Sequence, residues 1–166
     1  MIAEAIDAAE FRRILGHYPT GVCAVTAMKE GKPKGMVVGS FTSVSLDPPL
    51  VAFLPDRRSK SWADIAVAGD FCVNVLSQHQ QDVCRALSSR LEDKFENVPY
   101  RLSSGGLPII EGVVAWIACR PYAVHEAGDH DIAVGEVYAM AVEHPHTPLL
   151  FLQGGYGSFL PLASIP

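Results

Sequence analysis

Hydrophobic positions along this chain change period repeatedly, and each change marks an element. Over residues 3–15, apolar Ile6, Phe11, Ile14 and Leu15 lie on one side of an Ala/Glu-rich stretch, predicting an amphipathic helix. TGVCAVTAM (20–28) and MVVGSF (36–41) read as strands joined through polar KEGKPKG, which makes a hairpin. PLVAFLP (49–55) is a short apolar strand, and DFCVNVL (70–76) is another. Between them, SKSWADIAVAG (59–69) has a Ser to open a helix and a Gly to close it. A third helix is predicted over 77–89, with Val83 and Leu87 on one face. Residues 90–112 are broken by Pro99, Gly105, Gly106, Pro108 and Gly112. Two long strand-like runs, 113–127 and 131–144, are joined through Gly128-Asp129-His130, and PLLFLQ (148–153) is a last strand.

Seven strands with Gly/Pro turns and a few helices predict a mostly β fold with added helices, an antiparallel barrel or sandwich. The 166 residues suit one domain spanning 1–166. No βαβ rhythm and no GxGxxG after a strand is present, which argues against a doubly wound nucleotide fold.

Composition narrows the class. The chain is 49% hydrophobic and carries a net charge of −5, so neither a disordered segment nor a basic nucleic-acid binder is expected. No apolar run reaches the roughly 20 residues of a membrane span, and MIAEAIDAAEFRRIL lacks the layout of a secretion signal. A cytoplasmic protein is the expectation. Cys23, Cys72 and Cys119 fall in strand-like runs and Cys84 in a helix, with no CxxC pair, so reduced core cysteines are expected rather than a metal site.

Three stretches carry candidate chemistry. In GSFTSVSLDPPL (39–50), Phe41 is at an odd position and Val44 and Leu46 at even ones, so the strand changes phase near Thr42/Ser43. A β-bulge there would turn hydroxyls and backbone N–H groups toward one place, suited to a flat heteroaromatic ring. The same residues also serve as strand ends and turn caps, and the local pattern alone favours that plainer reading. DRRSKSW (56–62) sets Arg57, Arg58 and Lys60 at a helix start, which reads equally as a phosphate site or as a solvated cationic turn. In AGDHD (127–131), Gly128 permits a tight turn and Asp129 is placed to orient His130, though most hairpin-tip histidines are merely exposed. No nucleophile motif such as GxSxG accompanies them.

Taken in order, PTGVCAVTA, GSFTSVSLDPPLV, SKSWADI, GDFCVNVL, EDKF, GDHDIAVGEV and PLLFLQGGYG resemble the short-chain flavin reductases, the reductase components of two-component flavin monooxygenases. The likeness runs from about Phe11 to Tyr156. It implies a split β-barrel that binds FMN or FAD as a homodimer, with NADH or NADPH as hydride donor and a monooxygenase receiving the reduced flavin. Carried over by motif, Ser40, Phe41, Thr42 and Ser43 belong along the flavin ring, and Ser59, Lys60, Ser61 and Trp62 at its phosphate. Lys94 and Phe95 fall on a loop that closes on the flavin, His130 where the nicotinamide stacks, and Tyr156 near the site mouth. Asn74 either borders the site or buttresses backbone. The resemblance leaves two other roles open: a non-catalytic flavin carrier, or an enzyme that keeps FMN bound and reduces another substrate. VVAWIA (113–118) and PLLFLQ are the apolar segments expected at a dimer interface.

Overall fold

The computed structural model describes residues 6–162, so the first part of the predicted 3–15 helix lies outside them. The described part is α1 (Ala8–Leu15), capped by Asp7, whose carboxylate accepts from the Glu10 amide at 3.2 Å. Two further helices follow, α2 (Lys60–Ala68) and α3 (Gln81–Ser88). No helix among the described residues is long and apolar enough to cross a membrane.

The main sheet has seven antiparallel strands: β2 (Cys23–Lys29), β3 (Lys32–Val38), β4 (Thr42–Leu46), β5 (Pro49–Phe53), β6 (Phe71–Val75), β9 (Ala115–Ala127) and β10 (His130–Val142). Their order is β3-β2-β6-β9-β10-β5-β4. Strand β1 (Thr20–Gly21) joins β11 (Leu149–Leu152) and β12 (Gly155–Ser158) in a small sheet, and β7 (Tyr100–Leu102) pairs with β8 (Pro108–Ile110). Met36 and Val38 of β3 share one buried cluster with Val51 and Phe53 of β5, although those strands lie toward opposite ends of the order. The sheet therefore curls round a common core, the split-barrel arrangement expected from the sequence.

Parity explains the near-continuous apolar strands. In β2, Cys23, Val25 and Ala27 enter the barrel core, while Ala24 joins a second core beneath α3. In β6, Phe71 and Val73 face the barrel and Cys72 the second core. Both faces are buried, so hydrophobic alternation disappears although the side-chain period remains two. All four cysteines are buried and unpaired, as expected of packing residues, and burial pushes the thiols of Cys23, Cys72 and Cys119 up to about 12.

Several boundaries differ from the sequence expectation. The first turn is only Glu30-Gly31, both at positive φ (52° and 74°), so Lys32 and Lys34 lie in β3 rather than in a turn. The strand ends at Val38, and Gly39–Phe41 form a crossing to β4. The bulge in β4 falls at Val44, between Ser43 opposite Val51 and Ser45 opposite Leu50, slightly beyond the position expected. His130 is the first residue of β10, paired with Ala127, and the turn is Gly128-Asp129 alone. Gly155–Ser158, expected to follow the last strand, form β12, because Gln153-Gly154 make a second tight turn at positive φ (51° and 81°).

Candidate active site

The loop 54–59, between β5 and α2, is where the three candidate stretches meet. Ser40 is tied to it directly, its Oγ accepting from the Leu54 amide at 2.9 Å. His130 forms an isolated β-bridge with Asp56, flanked by Arg57 N–H donating to Asp129 O and Asp131 N–H to Pro55 O, each at 3.0 Å. At its end, Ser59 caps α2, accepting from the Trp62 amide at 3.2 Å. Segments that are 14 to 90 residues apart in sequence thus share one short loop.

The ring segment is exposed. Phe41 packs on the barrel core, while Thr42 and Ser43 are open to solvent. Strand β4 ends the sheet order, so its outer edge has no strand partner among the described residues. An unpaired edge offers alternating N–H and C=O groups, the pattern that a pyrimidine-like ring edge requires.

Beside this loop a cavity of about 570 Å³ wraps the free edge of β3. Ser59, Lys60 and Ser61 at the start of α2 line it, together with Lys94 and Phe95. The first amides of a helix have no intrahelical partner, so Lys60 and Ser61 present N–H groups at a positive dipole end. The Lys94 ammonium donates to Ser61 Oγ and to Leu87 O, both at 2.9 Å. Among the described residues it has no carboxylate partner, and burial holds it below the usual lysine value. A half-buried cation beside a hydroxyl and a helix N-terminus is a donor set that fits a flavin phosphate.

The cavity also holds residues that sequence reasoning missed. Four cationic side chains, Lys34, Lys60, Arg90 and Lys94, face only two carboxylates, Asp64 and Glu92. This local excess stands against a chain of net charge −5. Asp64 bonds Lys29 at 2.6 Å and lies 3.7 Å from Lys34, and these contacts, Lys29 first, hold its carboxyl below the usual range. The signal for Lys34 was present in its even-numbered phase with Met36 and Val38, once KPKG is read as strand. Gly35 lies in close approach to its neighbours: a Cβ there would sit 3.0 Å from the Phe95 ring.

Some expected site residues take other roles. Trp62 is buried in the barrel core, edge-on to Phe53, and does not line the cavity; its indole N–H donates to Asp131 at 2.8 Å. Phe95 is a core residue against Tyr100 that lends only an edge to the cavity. Arg57 and Arg58 are turned to carboxylates, Arg57 to Glu126 (2.8 Å) and Arg58 to Asp56 (3.1 Å), so their cationic charge is already matched. Tyr156 lies in a separate small pocket with Thr20, Gly39 and Phe151, its hydroxyl 3.0 Å from Cys84 Sγ. Asn74 is fully buried and bonded only to Ala24, Thr26, Cys72 and Ile110, which settles it as a buttress. His130 is 42% exposed, with Nδ1 2.7 Å from Asp129 Oδ1. That contact holds the Asp129 carboxyl below its usual value.

A curled antiparallel sheet with a phosphate-suited helix start, an open strand edge and a histidine at one loop defines a nucleotide-cofactor protein of the split-barrel class. The chain belongs to the flavin reductase like domain family, whose model matches residues 15–160. It is 61% identical over 160 residues to a flavin reductase of Pseudomonas putida, covering 96% of this chain and 94% of that one. It is 43% identical over 164 residues to the reductase subunit HsaB of a flavin-dependent monooxygenase from Rhodococcus jostii, covering 99% and 84%. Among solved structures, the NADH:FAD oxidoreductase SgcE6 of Streptomyces globisporus, in complex with NAD and FAD fragments, superposes with a TM-score of 0.89 at 34% identity. That match covers 98% of this chain and all of the other.

Proposed function

We infer that the protein is an NAD(P)H-dependent flavin reductase that delivers reduced FMN or FAD to a flavin-dependent monooxygenase. The reading rests above all on the half-buried Lys94 ammonium beside the α2 N-terminus, which lacks a carboxylate partner among the described residues, in a chain of this family. The relatives named as reductase subunit and NADH:FAD oxidoreductase support the partner and the hydride donor.

When bound, the flavin supplies the hydride-accepting ring and the nicotinamide the hydride. Ser59, Lys60, Ser61 and Lys94 hold the phosphate by charge and hydrogen bonds. Ser40, Phe41, Thr42 and Ser43 run along the ring, Phe41 as an apolar support and the β4 edge as donor and acceptor. His130 borders the place left for the nicotinamide and positions it. No protein nucleophile is needed, because orientation of the two rings is the protein's main contribution.

The test is NAD(P)H oxidation by the purified protein with FMN, FAD or no added flavin. Turnover that depends on added flavin is expected; turnover without it marks a tightly held cofactor, and none at all an inert binder. His130→Ala should slow flavin reduction or raise the nicotinamide KM by roughly 10- to 100-fold. Its flavin Kd should stay within about twofold, as read by stopped-flow absorbance beside fluorescence titration. Normal reduction in that variant would leave His130 a turn residue.

A homodimer completes the reading. The expected segment VVAWIA is used within the chain's own fold, with Val113 and Ala118 buried. Exposed apolar side chains include Val44 and Leu46 of β4, Met140 and Val142 of β10, and Phe151 and Leu152 of PLLFLQ. These exposed apolar side chains are the ones a second subunit would cover. Light scattering at micromolar concentration should return twice the 17.9 kDa chain mass; a monomer would refute it.

A further inference from the structure

We propose that Asp131 is a positioning residue that sets His130 against the start of α2. This rests on the reading of His130 as the residue bordering the nicotinamide. The hairpin tip is held to loop 54–59 by backbone bonds at Pro55 and Arg57, and by side chains of unequal value. The Arg57–Glu126 pair is largely exposed, at 42% and 75%, and such pairs contribute little. Asp131 is only 14% exposed. Its Oδ2 accepts from the Trp62 indole at 2.8 Å, and its Oδ1 lies 3.5 Å from Arg57 Nε. Trp62 is itself fixed in the barrel core against Phe53. One carboxylate therefore fastens the strand that begins with His130 to the helix whose first turn lines the cation-rich cavity. A displacement of about 1 Å in a reacting group lowers rates by as much as about 100-fold, so a fastening of this kind has kinetic weight out of proportion to its stability.

Three measurements test it. In cofactor-free protein, Asp131→Ala should speed hydrogen exchange at the Arg57 and Asp131 amides while the middle of β9 and β10 stays protected. With flavin and NADH, it should slow reduction about tenfold at a flavin Kd within about twofold of the parent. Asp131→Asn, whose amide oxygen still accepts from Trp62, should recover most of that rate. In a His130→Ala background, Asp131→Ala should add nothing, since one acts through the other. A proportional loss of flavin affinity, unchanged exchange at the tip, no recovery in Asp131→Asn, or a further loss in the double variant would overturn the proposal. His130→Ala run alone separates the two ideas: a slow His130→Ala beside a normal Asp131→Ala sinks only the fastening, whereas a normal His130→Ala sinks the reading beneath it.

Discussion

Lys94→Ala weakens FMN binding about 10- to 100-fold and leaves riboflavin, which has no phosphate, within about twofold. A hydrogen bond to a charged group contributes about 1.5–3 kcal/mol, and about 1.4 kcal/mol is tenfold in Kd. Ser61→Ala removes the hydroxyl that Lys94 contacts at 2.9 Å and acts in the same direction. The pH dependence has a definite sign. Burial lowers the Lys94 value in the free protein, and a bound phosphate dianion raises it again. As pH rises through the free-protein value, binding comes to require proton uptake, so FMN affinity falls. The fall begins at a lower pH than for an ordinary lysine and ends at the raised value of the complex. Lys94→Met should flatten that profile. Fluorescence titration of FMN and riboflavin from neutral to alkaline pH reads both effects; equal losses for the two ligands would place Lys94 at the ring or in the fold.

Asn74→Leu destabilises the protein by about 3 kcal/mol, out of roughly 5–15 kcal/mol for a typical domain. The side chain is fully buried. Its Oδ1 accepts from the Ile110 amide at 2.9 Å, and its Nδ2 donates to Thr26 Oγ1 at 3.0 Å. Thr26 in turn donates to Pro108 O at 2.6 Å. This network fastens the β7–β8 hairpin to the central sheet. Leucine has the same number of side-chain heavy atoms but leaves the Ile110 N–H without a partner, and a buried unpaired group costs about 1–3 kcal/mol by itself. Thermal and urea unfolding should show a melting point lower by roughly 10 °C. A change below about 1 kcal/mol would mean that water or a backbone shift replaces the bonds.

Features governed by near neighbours in sequence were legible from the sequence alone. Ser59 and Gly69 bound α2 as their types require, Gly69 at φ 95°. The phase change after Phe41 announced a bulge within two residues of its place at Val44. Gly128 marked the turn before His130, and Asp129 indeed holds its ring. The motifs from PTGVCAVTA to PLLFLQGGYG, in that order, also carried the family. The β7 and β8 strands and the terminal β12 escaped because they are three or four residues long, and their pairing, not their own periodicity, makes them strands.

Charge partners and convergence were decided only by the tertiary structure. Arg57, Arg58 and Lys94 are equally cationic as letters. Folding gives the arginines the carboxylates of Glu126 and Asp56, the first 69 residues away, and places Lys94 over the α2 start with none among the described residues. Trp62 sits inside the phosphate motif, yet its side chain turns into the barrel because α2 must bury one face. The meeting of residues 40, 56, 59 and 130 at one loop follows from antiparallel pairing between β5 and β10, a long-range register that no local window contains. The sequence by itself thus determined the α2 caps, the turn at Gly128 and the family. Only the folded chain determined which charges remain free for a ligand, because burial and distance, not residue type, set whether a charge is already paired.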